Sequence, residues 1–204
     1  MLRQDPVTEQ LSLFTAAEKW QTQGYRVDRL VPKMSAEALV SWKIRIIDFQ
    51  EQVEFCPAPQ QVDLFGNAIP SKEPDPESIN PFKLEQRNIN FWQAPTEEEG
   101  VAALYFVIDY DAMLLLYVGE TGKANQRWKG VHDCKRYLAN YRQSHYEHQL
   151  PTRLGIGFWP HAPKETRSRQ RLESALINKW RAPFNKENWN YWGTPFVDGK
   201  VEKQ

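Results

Sequence analysis

The sequence predicts an α+β fold, in which a small antiparallel or mixed β-sheet is flanked by helices. Two observations predict it. A hairpin is indicated by two β-rich apolar runs around the polar tetrapeptide Asp109-Tyr110-Asp111-Ala112. Strand-like and helix-compatible segments then alternate, which favours a sheet covered by helices. In chain order the segments are 102–108 and 113–118 (strands), 125–142 (helix), 152–159 (strand) and 164–180 (helix).

The N-terminal part of the sequence is predicted to form a small helical extension. Thr15 and Glu18 form a capping box for a helix that ends near residue 23, and a short strand is expected at 25–31. Ser35 is a suitable cap for a second helix. The apolar face of that helix is predicted to carry Leu39, Trp42, Ile46 and Phe49.

A proline-rich segment separates this extension from the predicted sheet. Half of the 14 prolines lie between residues 57 and 95, among acidic and small polar residues. Because proline lacks a backbone donor and resists helix formation, 57–77 is predicted to be an extended linker. The predicted divisions are an extension at 1–55, a linker at 56–80, the sheet domain at 81–196 and a tail at 197–204.

Length and composition restrict the class of protein. A chain of 204 residues can bury a core without disulfides, and its two cysteines, Cys56 and Cys134, imply no disulfide framework. The N-terminal decapeptide MLRQDPVTEQ is too polar for a signal peptide, and the apolar runs are too short to span a bilayer. We therefore expect a soluble cytoplasmic protein without a membrane partner.

Charge is distributed unevenly although the formal net charge is zero. Residues 1–119 contain 10 basic and 18 acidic residues, a net −8, whereas 120–204 contain 16 basic and 8 acidic residues, a net +8. A basic C-terminal part in a neutral protein favours local phosphate binding. An ordinary solvated basic surface is the alternative.

Several residues of the predicted sheet domain form a candidate site. With the turn centred near Asp111, Tyr105 and Tyr117 are expected to lie opposite each other on one sheet face. Arg127 lies early in the next predicted helix. Glu173 shares its helix face with the apolar positions 176, 177 and 180. A carboxylate on an apolar stripe is costly unless a metal or cation compensates it. The alternative is packing for the tyrosines and helix ion pairs for Arg127 and Glu173.

The order and spacing of five short motifs resemble the GIY-YIG nucleases. The motifs are Ala103-Leu104-Tyr105 for Gly-Ile-Tyr, Tyr117-Val118-Gly119 for Tyr-Ile-Gly, Arg127 at the family's spacing, Leu172-Glu173, and Ala182-Pro183-Phe184-Asn185 for the closing Pro-x-Asn. The resemblance covers about 81–196. It departs from the family at Ala103, which replaces glycine, and at His132, which follows the arginine by five residues rather than four.

The resemblance implies a metal-dependent endonuclease that hydrolyses nucleic-acid phosphodiester bonds, with DNA the expected substrate and repair or recombination the expected context. It implies one Mg²⁺ or Mn²⁺ per active site, bound by Glu173. It also implies that Arg127 stabilises phosphate charge and that Tyr105 is the general base. Tyr117 and Asn185 would orient water and phosphate or hold the hairpin. The departure at His132 weakens its catalytic assignment. Alternatives are an RNA nuclease and a catalytically inactive nucleic-acid or partner-binding module.

Two pentapeptides in the N-terminal half resemble the motif that binds the bacterial sliding clamp. The first is Gln10-Leu11-Ser12-Leu13-Phe14, and the second is Gln61-Val62-Asp63-Leu64-Phe65. In such a motif, leucine and phenylalanine fill an apolar pocket while the glutamine amide bonds at the rim. We therefore expect a tether to the replication clamp. The alternative is that these apolar residues pack on the protein's own core.

Two further clusters have weaker functional interpretations. The spacing of His132, Cys134, His145 and His148 fits no familiar zinc pattern. The C-terminal aromatic residues are predicted to complete a core rather than to stack on bases. They are Trp189, Tyr191, Trp192 and Phe196.

Overall fold

The structure is a computed structural model, and it describes residues 34–56, 65, 74–88, 101–122 and 133–197. The helices are α1 (Ala36–Glu51), α2 (Asp133–Glu147), α3 (Thr166–Trp180) and α4 (Trp189–Trp192). The strands are β1 (Gln86–Asn88), β2 (Ala103–Asp109), β3 (Leu114–Thr121) and β4 (Leu154–Trp159). The described residues from Met34 to Val197 belong to one compact unit. The predicted α+β class is confirmed.

The four strands form one antiparallel sheet in the order β1-β4-β2-β3. The predicted hairpin is β2–β3, and the predicted third strand is β4. The polar strand β1 was not predicted, because the exposed sequence Gln86-Arg87-Asn88 has no apolar alternation. It is a strand because of its pairing with β4, from Gln86 opposite Gly157 to Asn88 opposite Gly155.

Both faces of the hairpin are covered. All seven residues of β2 are buried, which explains its continuous apolar sequence. On one face Tyr105 and Val107 pack with α1 and α2 in the first core. On the other face Leu104 and Phe106 pack with α3 in the second core.

Helix α1 packs into this unit although the sequence assigned it to the N-terminal extension. Ser35 caps it as predicted, with its Oγ accepting a hydrogen bond from the Ala38 amide at 3.2 Å. Its buried face contains Leu39, Trp42 and Ile46, as expected, and also Gln50. The Gln50 amide bonds to both the N–H and the C=O of Leu115, each at 2.9 Å. A buried polar residue therefore docks the helix on β3.

The aromatic C-terminal segment completes the first core, as predicted. Phe196 is buried and makes edge-on contacts with Trp42, Tyr141 and Phe184. Trp189 and Trp192 pack against the same core. Tyr191 differs, because it is 54% exposed. Among the described residues, no helix combines the length and apolar character needed to cross a membrane.

The buried carboxylate of Asp109 joins several elements at the turn end of the hairpin. Its Oδ2 accepts from Lys43 Nζ at 3.1 Å and from the Tyr141 hydroxyl at 2.8 Å, which links α1 and α2. Its Oδ1 accepts from the amides of Asp111 and Arg153. Burial opposes ionisation of Asp109, but the Lys43 charge and these hydrogen bonds outweigh it and lower the pKa of the carboxyl group.

We predict that Asp109→Asn lowers the free energy of unfolding by about 3 kcal/mol, because it leaves the Lys43 ammonium without its buried counter-charge. Urea unfolding followed by far-UV circular dichroism measures the change. Asp111→Asn is the matched control. The Asp111 carboxylate pairs with Arg153 at the surface, at 3.6 Å, and should contribute less than about 1 kcal/mol. Equal effects of the two substitutions would contradict the proposed role of Asp109.

Candidate active site

A β-bulge in β3 brings the two motif tyrosines to one face of the sheet. Val107 pairs with Tyr117, and Ile108 pairs with Leu115, so Leu116 is the extra residue. Without it, alternation would place Tyr117 on the face opposite Tyr105. The prediction that the tyrosines lie on neighbouring antiparallel strands and share a face is confirmed. The prediction that they pair directly is wrong, because Tyr105 lies opposite Gly119. Their rings stack diagonally, 5.9 Å apart with an interplanar angle of 28°.

Gly119 is needed because the Tyr105 ring lies directly over it. A Cβ atom added at Gly119 would be 2.3 Å from Tyr105 Cζ and 2.4 Å from its hydroxyl oxygen. Tyr105 is fully buried and cannot easily move aside. The glycine of the Tyr-Val-Gly motif therefore allows a close approach between strand backbone and phenol ring.

The surroundings of the Tyr117 hydroxyl oppose its ionisation. Burial raises the pKa of Tyr117, and nearby Tyr105, Cys134 and Glu173 raise it further. A hydrogen bond with Tyr105 acts in the same direction. Tyr117 thus keeps its proton.

Glu173 lies where β3 forms the edge of the described sheet. Its Oε1 accepts a hydrogen bond from the Glu120 amide at 3.0 Å. Its charge is one of the causes that raise the pKa of the Tyr117 hydroxyl. The side chain is half-buried on the predicted apolar stripe.

Asn185 is buried and bonds to the same edge of β3 at Val118, two residues before Glu120. Its Nδ2 donates to the Val118 carbonyl at 2.8 Å, and its Oδ1 accepts from the Val118 amide at 2.9 Å. The Asn185 side chain therefore uses both of its polar atoms to hold β3.

A partly buried ion pair between residues 120 and 169 was not predicted. Arg169 Nε donates to the Glu120 carboxylate, and Nη1 donates to the carbonyls of Pro163 and Lys164, both at 3.0 Å. The sequence contained one usable signal, since Arg169 precedes Glu173 by four residues and therefore shares its helix face. Glu120 offered none, because its partner is 49 residues away.

The donor set fits one hard divalent cation and does not form a multi-ligand cage. Mg²⁺ is commonly bound through one or two carboxylates, with waters and substrate phosphate completing the octahedron. Glu173 supplies one such carboxylate, and Glu120 supplies a neighbouring one that is paired with Arg169. Within the described ranges no group of three or more His, Cys, Asp or Glu residues is arranged to hold a metal.

The remaining histidines and cysteine of the weak zinc pattern have other surroundings. Cys134 is buried, and burial raises the pKa of its thiol. His145 contacts Lys43 Nζ at 3.1 Å and the Tyr141 carbonyl at 2.8 Å. His148 contacts the Met34 carbonyl at 2.9 Å. In the part of the chain that the structure describes, Cys134, His145 and His148 do not belong to a group of three or more residues arranged to hold a metal.

Several predicted site residues lie outside the part of the chain that the structure describes. They are Arg127, His132, Gln10, Leu11, Leu13, Phe14, Gln61 and Leu64. Phe65 of the second pentapeptide is described, and it is 88% exposed. Comparison with known proteins gave no match to a family model, a curated protein or a solved structure.

We predict that Gly119→Ala destabilises the protein by about 2 kcal/mol, because the new methyl group must displace the Tyr105 ring. Urea unfolding and near-UV circular dichroism, which reports tyrosine packing, measure the effect. Gly122→Ala is the matched control, since the nearest described atom to its Cβ would be Arg169 Nη2, at 3.7 Å. Combining Gly119→Ala with Tyr105→Leu should cost less than the sum of the single substitutions. Strict additivity would contradict the close-approach explanation.

Proposed function

We propose that the chain is a metal-dependent endonuclease of the GIY-YIG type that hydrolyses phosphodiester bonds, with DNA as substrate. One observation carries the proposal. The stacked pair Tyr105–Tyr117 and the Glu173 carboxylate come together at the same end of the hairpin, from two strands and a helix. Paired phenols beside a half-buried carboxylate provide proton transfer and cation binding in one place.

In this proposal Tyr105 accepts the proton of the attacking water. One feature supports it over Tyr117. Burial, together with Tyr105, Cys134 and Glu173 nearby, raises the pKa of Tyr117, so that hydroxyl resists loss of its proton. Tyr117 then orients Tyr105 and the water, while Asn185 holds Val118 and thereby the strand that carries Tyr117.

Glu173 is the proposed ligand of one Mg²⁺ or Mn²⁺. When bound, the cation would supply Lewis-acid stabilisation of the scissile phosphate and the leaving oxygen. The bond from the Glu120 amide fixes the orientation of the Glu173 carboxylate. Arg127 is proposed to stabilise the phosphate charge, and the basic C-terminal part of the chain to attract the nucleic-acid backbone.

One observation favours a second candidate, a nucleic-acid or partner-binding module without catalysis. Asn185 and Glu173 both bond to the outer edge of β3, so each has a structural role independent of chemistry. The two candidates differ in what they require of Glu173. A module needs its hydrogen bond, whereas a nuclease also needs its charge.

We predict that Glu173→Gln lowers cleavage by about a hundredfold or more, because the amide keeps an acceptor for the Glu120 N–H but removes the charge that binds the cation. Cleavage of labelled duplex, flap, nicked and branched DNA, and of RNA, is measured with Mg²⁺ and with EDTA. Glu187→Gln, at an exposed position, is the matched control. Arg127→Ala should also lose most activity, and His132→Ala less. Full activity of Glu173→Gln, or of the wild type in EDTA, would contradict the proposal.

We also propose that the pentapeptides tether the chain to the bacterial sliding clamp. The exposure of Phe65 supports the second copy, because such an anchor must be accessible to enter a pocket on the partner. Each copy makes few contacts and loses conformational entropy when it becomes ordered on binding. One copy alone therefore binds weakly, at about micromolar strength. Two copies about fifty residues apart add avidity if both engage one clamp ring.

We predict that Leu64→Ala with Phe65→Ala weakens clamp binding, that Leu13→Ala with Phe14→Ala does likewise, and that the combination abolishes it. Calorimetric titration against the purified clamp measures the affinities. Cleavage of short free DNA should survive all three changes, which separates tethering from catalysis. Absence of binding by the wild type at tens of micromolar, on the order expected for such motifs, would contradict the tether.

A further inference from the structure

Four side chains, one from each strand of the described sheet, form a row that begins at the stacked tyrosines. Next to Tyr105 lies Phe158 of β4, and the centroids of these two rings are 6.2 Å apart. Next to Phe158 lies Arg87 of β1, with the carbon of its guanidinium group 6.0 Å from the centroid of the Phe158 ring. The row therefore extends from the hairpin to the outermost described strand on the β1 side.

The register of the strands places Arg87 on the same face of the sheet as the two tyrosines. Arg87 is paired with Ile156, and residues directly opposite each other point to the same face. Ile156 belongs to the first core, together with Tyr105. Phe158 follows Ile156 by two residues on β4, so its side chain is on that face as well. The sequence gave no sign of this placement, because β1 itself was not predicted.

The surroundings of Arg87 present its guanidinium group for binding an anion. Phe158 is partly buried, whereas the Arg87 side chain is 51% exposed. A guanidinium that lies over an aromatic ring is attracted to the ring and oriented by it. Its N–H donors form a rigid fork that matches the oxygen atoms of a phosphate group.

The acidic partner of Arg87 is weakly bound. Arg87 Nη2 is 3.6 Å from Glu85 Oε2, which is longer than an ordinary hydrogen bond, and the Glu85 side chain is 81% exposed. An exposed pair of this kind contributes at most about 1 kcal/mol. A phosphate group could therefore replace the Glu85 carboxylate at little cost.

We propose that Arg87 is a substrate-positioning residue that binds a backbone phosphate of the nucleic acid next to the phosphate that is cleaved. This inference rests on the proposed function, in which cleavage takes place at the tyrosines. The Phe158 ring separates the guanidinium group from Tyr105. Arg87 therefore contacts a flanking phosphate rather than the scissile one, and it contributes to binding rather than to the chemical step.

The alternative is that Arg87 only protects the edge of the sheet. All three residues of β1 are exposed, and charged side chains on an edge strand discourage pairing with another chain. That role makes no contact with the substrate. It predicts that replacing Arg87 leaves the affinity for nucleic acid and its dependence on salt unchanged.

The test is the affinity of the full-length protein for a short labelled DNA duplex, measured by fluorescence anisotropy in EDTA over a series of KCl concentrations. Arg87→Gln should weaken binding about fivefold to tenfold at about 0.1 M salt. The slope of log K against log salt concentration should become shallower by about one, because one phosphate contact is lost. In Mg²⁺, KM should rise by a similar factor while kcat stays within about twofold of the wild type.

Two further variants separate charge from geometry. Arg87→Lys should keep the salt dependence but bind about twofold to threefold more weakly than the wild type, because an ammonium group lacks the planar fork. Glu85→Gln should strengthen binding about twofold, because it removes the carboxylate that competes with phosphate. If Arg87→Gln does not fold, these two variants decide. Wild-type affinity in both would overturn the inference.

Arg153 offers a matched control at the other end of the hairpin. Its Nε is 3.6 Å from Asp111 Oδ1, and its side chain is 62% exposed. Its guanidinium carbon is 5.9 Å from the ring centroid of Tyr110, which packs against the second core. Arg153→Gln removes the same charge from a similar setting and should change the affinity by less than about twofold. Equal weakening by Arg153→Gln and Arg87→Gln would indicate a general charge effect and overturn the inference.

The outcomes separate this inference from the proposed function. If the wild type neither binds nor cleaves DNA, both fail. If the wild type cleaves and Glu173→Gln does not, but Arg87→Gln has wild-type affinity and salt dependence, only the role of Arg87 is overturned. If the wild type binds DNA without cleaving it, the proposed catalysis fails, and the salt dependence of Arg87→Gln still decides whether Arg87 binds a phosphate.

Discussion

The outer edge of β3 is the constraint on which the rest of the described structure depends. An edge strand presents backbone groups that need partners, and here side chains and one backbone amide supply them. Each partner comes from an element that must pack nearby, so satisfying the edge also assembles the domain. The bonds are made by Gln50 at Leu115, Phe184 at Leu116, Asn185 at Val118 and Glu173 at Glu120. Two of these residues belong to the candidate active site, which explains why the site is built along this edge.

The hairpin is fixed at both ends by different means. At its turn, Asp109 ties the strands to α1 and α2. At its other end, α3 holds Glu120 by backbone and side chain. Between these points the bulge at Leu116 determines which residues of β3 face each side of the sheet. The Leu116 carbonyl accepts a hydrogen bond from the Phe184 amide. A site on strands held in this way keeps its geometry without relying on loop order.

Local sequence patterns were sufficient to predict the α+β class, the hairpin, β4, α3 and the capped helix α1. They were insufficient wherever a feature depends on contacts distant in sequence. The bulge at Leu116 leaves no signal in an apolar run of three leucines, so the predicted pairing of Tyr105 with Tyr117 was wrong. The need for Gly119 follows from a ring on another strand, and the Glu120–Arg169 pair spans 49 residues. The burial of Gln50 could not be predicted from an apolar pattern, because hydrogen bonds to carbonyls of a strand and a helix accompany it.

The proposed function gives the charged groups at the candidate site a role that stability does not require. Replacement of a buried ion pair by apolar residues is often neutral or stabilising, so stability alone does not account for Arg169 and Glu120. The need to hydrogen-bond the backbone of the edge strand does not account for Glu173 either. The neutral amide of Asn185 supplies such bonds at Val118 on the same strand. What a carboxylate adds over an amide at position 173 is charge beside two stacked phenols. A site that binds a cation and moves a proton needs that charge, whereas a binding module built on the same edge does not.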